Sequence, residues 1–518
     1  MIPTSNLAHL LLQTARRFPT RPGLIRHGIE TSWATLATRV RSAAAGLAER
    51  GVCHGDRILV HSRNSQAMFE TMWAAWMLGA VWVPTNFRLT PAEVAYLAES
   101  SAATTHLFDD AFPDHAQAAR DANPAAHLHL NLAEDWETLT SHPAPQPHPA
   151  DVAHDHPCWF FYTSGTTGRS KAAILTHGQM EFVVTNHLCD LMPGTTEHDV
   201  SLVVAPLSHG AGIHALTQVA RGAATVLMPG EKLDVPEAWR LVETHRVSNM
   251  FTVPTILTML TRDPSVDTHD HTSLRHIIYA GAPMYRADQV SALKKLGPVI
   301  VQYFGLGEVT GNITVLPPHL HSIDDDPRFP IGSVGYPRTG IDIAILDAEN
   351  RRLPPNATGE ICVRGPAVFA GYYNNPEATE KAFAAGWFHT GDLGHLDDRG
   401  FLFITGRASD MYISGGSNVY PREIEEVLLE HPDIAEACIV GIPDERWGEA
   451  GIAILVLRDG AALDEPALRS SLDAKLARYK HPSRYIVWPE LPKSGYGKVA
   501  KRAVRRLLLG AAGVSAVC

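Results

Sequence analysis

The sequence predicts an α/β protein: a large N-terminal domain of mixed and parallel sheets with flanking helices, followed by a small C-terminal α/β domain. Three observations lead there. At 518 residues the chain exceeds what one ordinary core accommodates. Up to about Ile404 it alternates strand-like and helix-like segments, the pattern of a parallel sheet covered by helices. The last hundred or so residues start a separate, shorter run of the same kind.

The elements follow in order. RILVHS (57–62) reads as a short apolar strand and SQAMFETMWAAWMLG (65–79) has helical length. AVWVP (80–84) is a strand, PAEVAYLAES a helix opened by Thr90-Pro91, and THLFDD a closing strand. From Ala111 to Pro157 the chain turns rich in His, Pro and Ala, and proline blocks regular pairing, so its second half reads as an exposed connector. Its histidines (His127, His129, His142, His148, His154, His156) read as solvated loop residues, because a metal site needs ligands held by a defined outer shell. Strands resume with SLVVAP, ATVLMP and HIIYAG. In PREIEEVLLEHP, Pro421 starts a helix with Ile424, Val427 and Leu428 on one face. AEACIVGIP and GIAILVL are strands, and ALRSSLDAKLARY is a helix. A boundary between Arg407 and Met411 divides the chain into domains 1–407 and 408–518. No internal repeat is visible.

Composition narrows the function. A hydrophobic content of 45% and a charged content of 19% are those of a packed globular protein. The net charge of −11 argues against a nucleic-acid binder while permitting anionic small ligands, which need only local positive charge. Six scattered cysteines without a CxxC pair point to reduced thiols, and no secretory signal is seen, so the expected compartment is the cytoplasm. The longest apolar stretches, around Met72 to Pro84 and Leu507 to Cys518, fall short of the ~20 residues a membrane span needs.

The chemistry concentrates in FYTSGTTGRSKAAILTH (161–177). A strand-like WFFY runs into Thr163, Ser164, Gly165, Thr166, Thr167 and Gly168, then Arg169, Ser170 and Lys171. The two glycines allow successive N–H groups to turn toward one point, a nest for phosphate oxygens, to which the hydroxyls and Lys171 add bonds and charge. It is not a Walker A loop, because no GK[ST] closes it. The stretch resembles the phosphate-binding signature of the adenylate-forming superfamily, in particular its acyl-CoA synthetase and acid–CoA ligase branch. Ser170 and Ala172 stand where that family often carries Pro and Gly.

Further motifs resemble the family's in the same order, from about Tyr162 to Arg502. APLSHGAG (205–212) resembles the segment flanking the acid pocket, with His209 and Gly210. YAGAPM (279–284) resembles the loop against which adenine packs, which implicates Gly281, Ala282 and Pro283. QYFGLGEVTG (302–311) resembles the aromatic-Gly-x-Thr-Glu segment. There Tyr303, Phe304 and Gly305 would adjoin the nucleotide, Phe304 lying on the adenine, and Glu308 would hold magnesium. Gly307 replaces the usual threonine, which removes a hydroxyl and is expected to leave more room. Read alone, GLGEVTG could pass for a dinucleotide fingerprint, but its spacing is wrong. In WFHTGDLG, Asp392 would take the ribose hydroxyls, and Arg407 in FITGRASD would contact the same sugar. Ser409 occupies the hinge position about which the small domain swings, and Gly415 and Gly416 resemble the glycine pair along the coenzyme A path. LPKSGYGKVAKR resembles the segment bearing the catalytic lysine, Lys498. Independently of any family, Lys475 to Arg506 holds ten basic residues against one acidic residue, Glu490, a local reversal suited to polyphosphates.

The resemblance implies an AMP-forming carboxylic acid–CoA ligase with Lys498, Glu308, Lys171 and His209 as its catalytic residues. ATP and Mg2+ serve the first step, and coenzyme A is the co-substrate of the second. The acid pocket would be bordered by His209, Gly210, Ala280, Gly305, Gly307, Val309 and Gly311, whose glycines suggest space for an aryl ring or a short or medium chain. Its partners would be small molecules, with a homodimer left open. The alternatives are a stand-alone adenylation enzyme loading a carrier protein, a long-chain fatty acid–CoA ligase, a luciferase-like oxygenase, and an ATP- or acyl-binding protein without turnover.

Overall fold

The computed structural model describes residues 3–146, 148–163, 169–230, 232–282, 284–493 and 499–514. A six-stranded sheet runs in the order Lys171–Thr176, Pro157–Thr163, Val81–Thr85, Arg57–His61, Thr105–Phe108, Leu128–Asn131, parallel except at its first pair. The helix Gln66–Met77 starts where Ser65 caps the Met68 amide and is buried nearly all round, Trp73 and Trp76 included. That burial accounts for the apolar Met72–Pro84 stretch, and among the described residues no helix is long and apolar enough to cross a membrane.

A second, seven-stranded sheet runs Ile300–Gln302, His276–Tyr279, Asn249–Thr252, Val200–Val203, Ala224–Leu227, Pro22–Arg26, Ile29–Ser32, parallel up to its last hairpin. Both sheets feed one continuous core, which takes Val60 and Trp82 from the first, Phe251 and Val301 from the second, and Leu216 and Val219 from the helix Gly210–Arg221. A third sheet is antiparallel and contains Gly359–Arg364, Trp387–Leu396 and Leu402–Arg407. A fourth, from Ser417–Val419 through Tyr412–Ser414, Gly448–Leu457 and Ile434–Asp444, packs on Pro421–Leu429 and Glu465–Lys475 around its own cluster of Ile424, Leu428, Leu468 and Leu472. The third sheet ends at Arg407 and the fourth opens at Tyr412, so the proposed division falls in the link 408–411.

Three expectations need correction. The 111–157 stretch is more ordered than its composition suggests: it forms the helix Pro113–Ala122, the edge strand Leu128–Asn131 and the helix Asp135–Thr140. The supposed connector is anchored by Trp136, buried with its Nε1 donating to Glu70 Oε2 at 2.9 Å. Its elements are too short for their periodicity to stand out. His127, His148 and His154 are exposed as expected, but three others are tied in. His129 lies in the edge strand 4.9 Å from the His106 ring, His142 reaches Glu49 at 3.0 Å, and His156 meets the Gly79 carbonyl at 2.8 Å. Finally, the helix expected to run through Tyr479 ends at Lys475, and Arg478–Lys480 makes a separate tight turn.

Candidate active site

Sheet pairing brings together residues far apart in sequence. Strand Pro157–Thr163 ends at Thr163 and strand Lys171–Thr176 begins at Lys171, directly opposite it in register. Thr163 Oγ1 donates to Glu308 Oε1 at 2.7 Å, and Tyr372 Oη donates to the same oxygen at 2.9 Å. Glu308 is 6% exposed, a depth at which an unbonded carboxylate would be costly, and two hydroxyls offset that cost. Lys171 Nζ stands 5.1 Å from the centre of the Tyr372 ring, a cation–π contact beside the carboxylate. Burial first, and Glu308 next, raise the Tyr372 phenol far above its ordinary pKa, so it stays a donor. Both hydroxyls use Oε1, and no bond to Oε2 is made among the described residues. A hard divalent cation takes carboxylate oxygen of this kind, so the donor set fits magnesium. Backbone strain marks the same turn: Thr310 sits at φ 51, a conformation non-glycine residues seldom adopt.

Ser164, Gly165, Thr166, Thr167 and Gly168 lie outside the described residues, as do Pro283 and Lys498. Tyr372 was missed by sequence reasoning. Its signal was faint, a tyrosine after Gly371 in AGYYNN, brought to the site by an isolated bridge to Ala173.

A second pair lies on the third sheet. Asp392 and Arg407 stand opposite each other in register, and Arg407 Nε donates to the 4%-exposed Asp392 at 2.9 Å. Asp392, the nearest cause, raises the Arg407 pKa, and Glu308 contributes too, which ties this pair electrostatically to the first cluster. The turn before Asp392 is fixed by Glu360, whose Oε1 accepts from the Gly391 amide at 3.0 Å while Oε2 lies 2.8 Å from His389 Nδ1. Gly281 and Ala282 are accessible and follow strand His276–Tyr279, and Phe304 is half-buried at the end of the neighbouring strand.

The residues around His209 form an aromatic wall. His209 precedes the helix Gly210–Arg221 with its ring 4.7 Å from Phe161. Phe251 closes over Gly210, and its ring stacks 6.1 Å from Tyr303, which lies against Gly311. Tyr303 therefore packs among Phe251, His187 and Gly311. Gly305 and Gly311 face each other backbone to backbone, an approach no Cβ permits. Ala280 and Val309 are fully buried behind this wall. The expectation that glycines leave room is overturned: a Cβ at Gly307 would stand 2.6 Å from both Phe161 and Thr163, so aromatic and hydroxyl side chains already fill that space.

In the small domain Gly415 and Gly416 form the two-residue turn of a hairpin with φ of 57 and 81, values a type I′ turn requires. Trp447 covers Gly415, whose amide donates to the Trp447 carbonyl at 2.9 Å. Ser409 is exposed in the link and its hydroxyl meets Asp410 at 3.3 Å. The basic run, read as a local charge reversal suited to polyphosphates, is partly neutralised within the small domain. Lys480, Lys493, Lys501 and Arg505 pair with Glu423, Glu436, Glu425 and Glu449 at 2.6 to 2.9 Å, and Lys475 pairs with Glu430. Acids from the preceding helix and strands consume much of its charge.

Comparison with known proteins agrees with this architecture. The model of the "AMP-binding enzyme" family matches residues 11–373, and that of the "AMP-binding enzyme C-terminal domain" matches residues 423–498. A feruloyl-CoA synthase of Amycolatopsis sp is 35% identical over 96% of this chain and 97% of its own. A fatty acid–[acyl-carrier-protein] ligase of Streptomyces coeruleorubidus is 33% identical over 95% and 94%. Among solved structures, the o-succinylbenzoate CoA synthetase of Bacillus subtilis bound to its acyl-adenylate superposes with a TM-score of 0.85 at 29% identity, over 98% of this chain and 99% of that one. The same enzyme has also been solved with ATP and magnesium.

Proposed function

The chain belongs to the AMP-binding enzyme family and is an AMP-forming acyl-CoA synthetase, and from that premise we propose that it joins an aryl or short- to medium-chain carboxylic acid to coenzyme A through an acyl-adenylate. The observation that carries this reading is the convergence of Thr163 and Tyr372 on Glu308, with Lys171 alongside.

A carboxylate is a poor acyl donor because its leaving group would be oxide. In the first step a carboxylate oxygen attacks the α-phosphorus of ATP and pyrophosphate leaves. Two anions must meet, which Coulomb repulsion opposes unless cations intervene. Lys171 supplies one beside the loop 164–168, Lys498 supplies a second at the reacting oxygens, and Asp392 with Arg407 holds the ribose. Glu308, through its Oε2, would hold a magnesium ion, which when bound would supply neutralisation of triphosphate charge. In the second step the thiol sulfur attacks the acyl carbon, the C–O bond breaks, AMP departs with the bonding electrons, and the thiol proton passes to solvent. An unperturbed thiol has a pKa of ~8.5, so the minor thiolate fraction at neutral pH suffices. The small domain, turning near Ser409, would present Lys498 for the first step and the Gly415–Gly416 turn for the second.

The test is pyrophosphate release with ATP and a panel of acids, followed by thioester formation with coenzyme A. Lys498→Ala should abolish adenylate formation while leaving the protein folded. Unchanged pyrophosphate release in that variant overturns the assignment of Lys498. A second reading, transfer to a carrier protein's pantetheine thiol, is favoured by the internal neutralisation of the basic run, which removes one argument for free coenzyme A. Supplying coenzyme A and a pantetheinylated carrier in parallel decides between the two.

A further inference from the structure

Arg338 is a fully buried arginine, among the described residues, that its surroundings leave incompletely bonded. Its side chain is 0% exposed, yet Nε and Nη1 have no hydrogen-bond partner among the described residues. Nη2 meets His187 Nδ1 at 3.2 Å. The nearest anion, Asp190, stands 3.9 Å from Nε, too far for a hydrogen bond. Its oxygens are already engaged by the Thr339 amide at 2.8 Å, the Thr339 hydroxyl at 2.9 Å and Asn186 Nδ2 at 3.1 Å. Asp190 thus offsets the charge of Arg338 without satisfying its N–H groups. Burial lowers the arginine to a pKa of about 9, against which Asp190 acts. His187 Nδ1 also lies 3.1 Å from the Val183 carbonyl, so it is shared between a donor and an acceptor, and burial together with the Arg338 charge holds that imidazole neutral.

Asn312 adds a second unsatisfied group. It is 0% exposed, and neither Oδ1 nor Nδ2 has a partner among the described residues. The Arg338 amide donates to the carbonyl of the next residue, Ile313, at 3.0 Å, so the two segments run side by side. Native folds rarely leave so many buried donors and acceptors unmade in one neighbourhood.

The location follows from the aromatic wall. From His209 and Phe161 it passes through Phe251 to Tyr303, and the Tyr303 ring lies 6.2 Å from that of His187, which touches Arg338. The helix His177–Asn186 loosens there into a five-residue π-turn, His187–Leu191, which delivers both His187 and Asp190. Such turns recur at functional sites. Arg338 therefore joins the Tyr303 end of this wall through His187, and Asn312 lies on the segment that runs beside Arg338.

We propose that Arg338 and Asn312 form a distal subsite, and that the acid activated here carries an oxygen group, hydroxyl or carboxylate, at the end opposite the carboxylate that is adenylated. The proposal rests on the ligase reading above. A hydroxyl oxygen would accept from Nη1 and donate to Asn312 Oδ1, whereas a carboxylate would accept from Nη1 and Asn312 Nδ2. A plain hydrocarbon end would leave all of these groups unmade, which is the situation in which enzymes discriminate strongly.

The experiment compares three phenylpropanoic acids of one length, bearing hydrogen, hydroxyl or carboxylate at the para position. Each is measured by kcat/KM for pyrophosphate release and, without ATP, by calorimetric binding. The wild-type protein should favour at least one oxygenated acid over the hydrocarbon by about tenfold or more in both measurements. Arg338→Met should erase that preference or invert it, and Asn312→Leu should weaken it. If Arg338→Met does not fold, the wild-type ranking and Asn312→Leu still decide. Equal use and equal binding of all three acids by the wild-type protein overturn the proposal. Absence of turnover with these three acids and with the wider panel above would defeat the ligase reading instead, and the binding ranking would still decide the subsite.

Discussion

Glu308 and Arg338 are both charges buried in the large domain, and the fold treats them in opposite ways. Glu308 receives two hydroxyl bonds on one oxygen and has Lys171 nearby. Arg338 has one neutral imidazole as a partner and an anion held at 3.9 Å by other donors. In the first corner Glu308 Oε1 is bonded before any ligand arrives and Oε2 is left for a cation, as suits a step that is the same for every acid. The second is completed only by something that enters it, as suits the part of the site that chooses. On the proposed reading, preorganisation for chemistry and selectivity for substrate rest on different buried charges.

Substitutions can break or sharpen that contrast. The largest effect is expected from Glu308→Gln, which keeps the shape and removes the charge. Pyrophosphate release should fall about a hundredfold for every acid alike, with the ranking of acids unchanged. A shift in ranking would show that the two roles are not separate. Asp392→Ala, which strips Arg407 of its partner, should raise KM for ATP about tenfold with less effect on the acid, as expected for a hydrogen bond to a charged group.

One share of the acid sensitivity should come from His214, buried near Phe251. Burial lowers its pKa from 6.5 to about 4 in the folded protein. A folded-state value below the unfolded one means that its contribution to stability is whole above pH 6.5. It is lost as the pH falls toward 4, because the unfolded chain takes up the proton first. The slope is about 1.4 kcal/mol per pH unit within that window. In denaturant melts from pH 7 to pH 5, His214→Asn should show a shallower loss than the wild-type protein, and identical slopes would remove His214 from the account. The smallest effect is expected from Tyr372→Phe, because Thr163 still bonds Glu308. A few-fold loss in kcat at constant acid ranking is the outcome to look for.

Much of the Glu308 corner was legible because its residues sit in local patterns with their own chemistry. Lys171 closes a glycine and hydroxyl run, Glu308 follows an aromatic-glycine turn, and Asp392 and Arg407 each lie in a short motif later placed opposite one another by strand register. What could not be read depends on contacts between distant segments. Tyr372 acts on Glu308 64 residues away, and nothing beside it in the chain announces this. Arg338, between a proline and a threonine, looks like an ordinary exposed turn residue until the fold buries it. The glycines misled for the same reason: a missing side chain suggests space, but only the structure shows which ring has moved into it. The partial neutralisation of the basic run could not be read because its counter-charges lie up to 76 residues upstream.

The lysines and arginines of that run have one more consequence. Among the described residues, no salt bridge joins the chain before residue 408 to the chain after it, and every pair in the small domain closes on itself. If this body swings near Ser409 as proposed, it would carry its electrostatics along, and none of the pairs among the described residues would have to break. Added electrolyte would then shift the balance between its orientations very little, and the geometry of the link would set the pace.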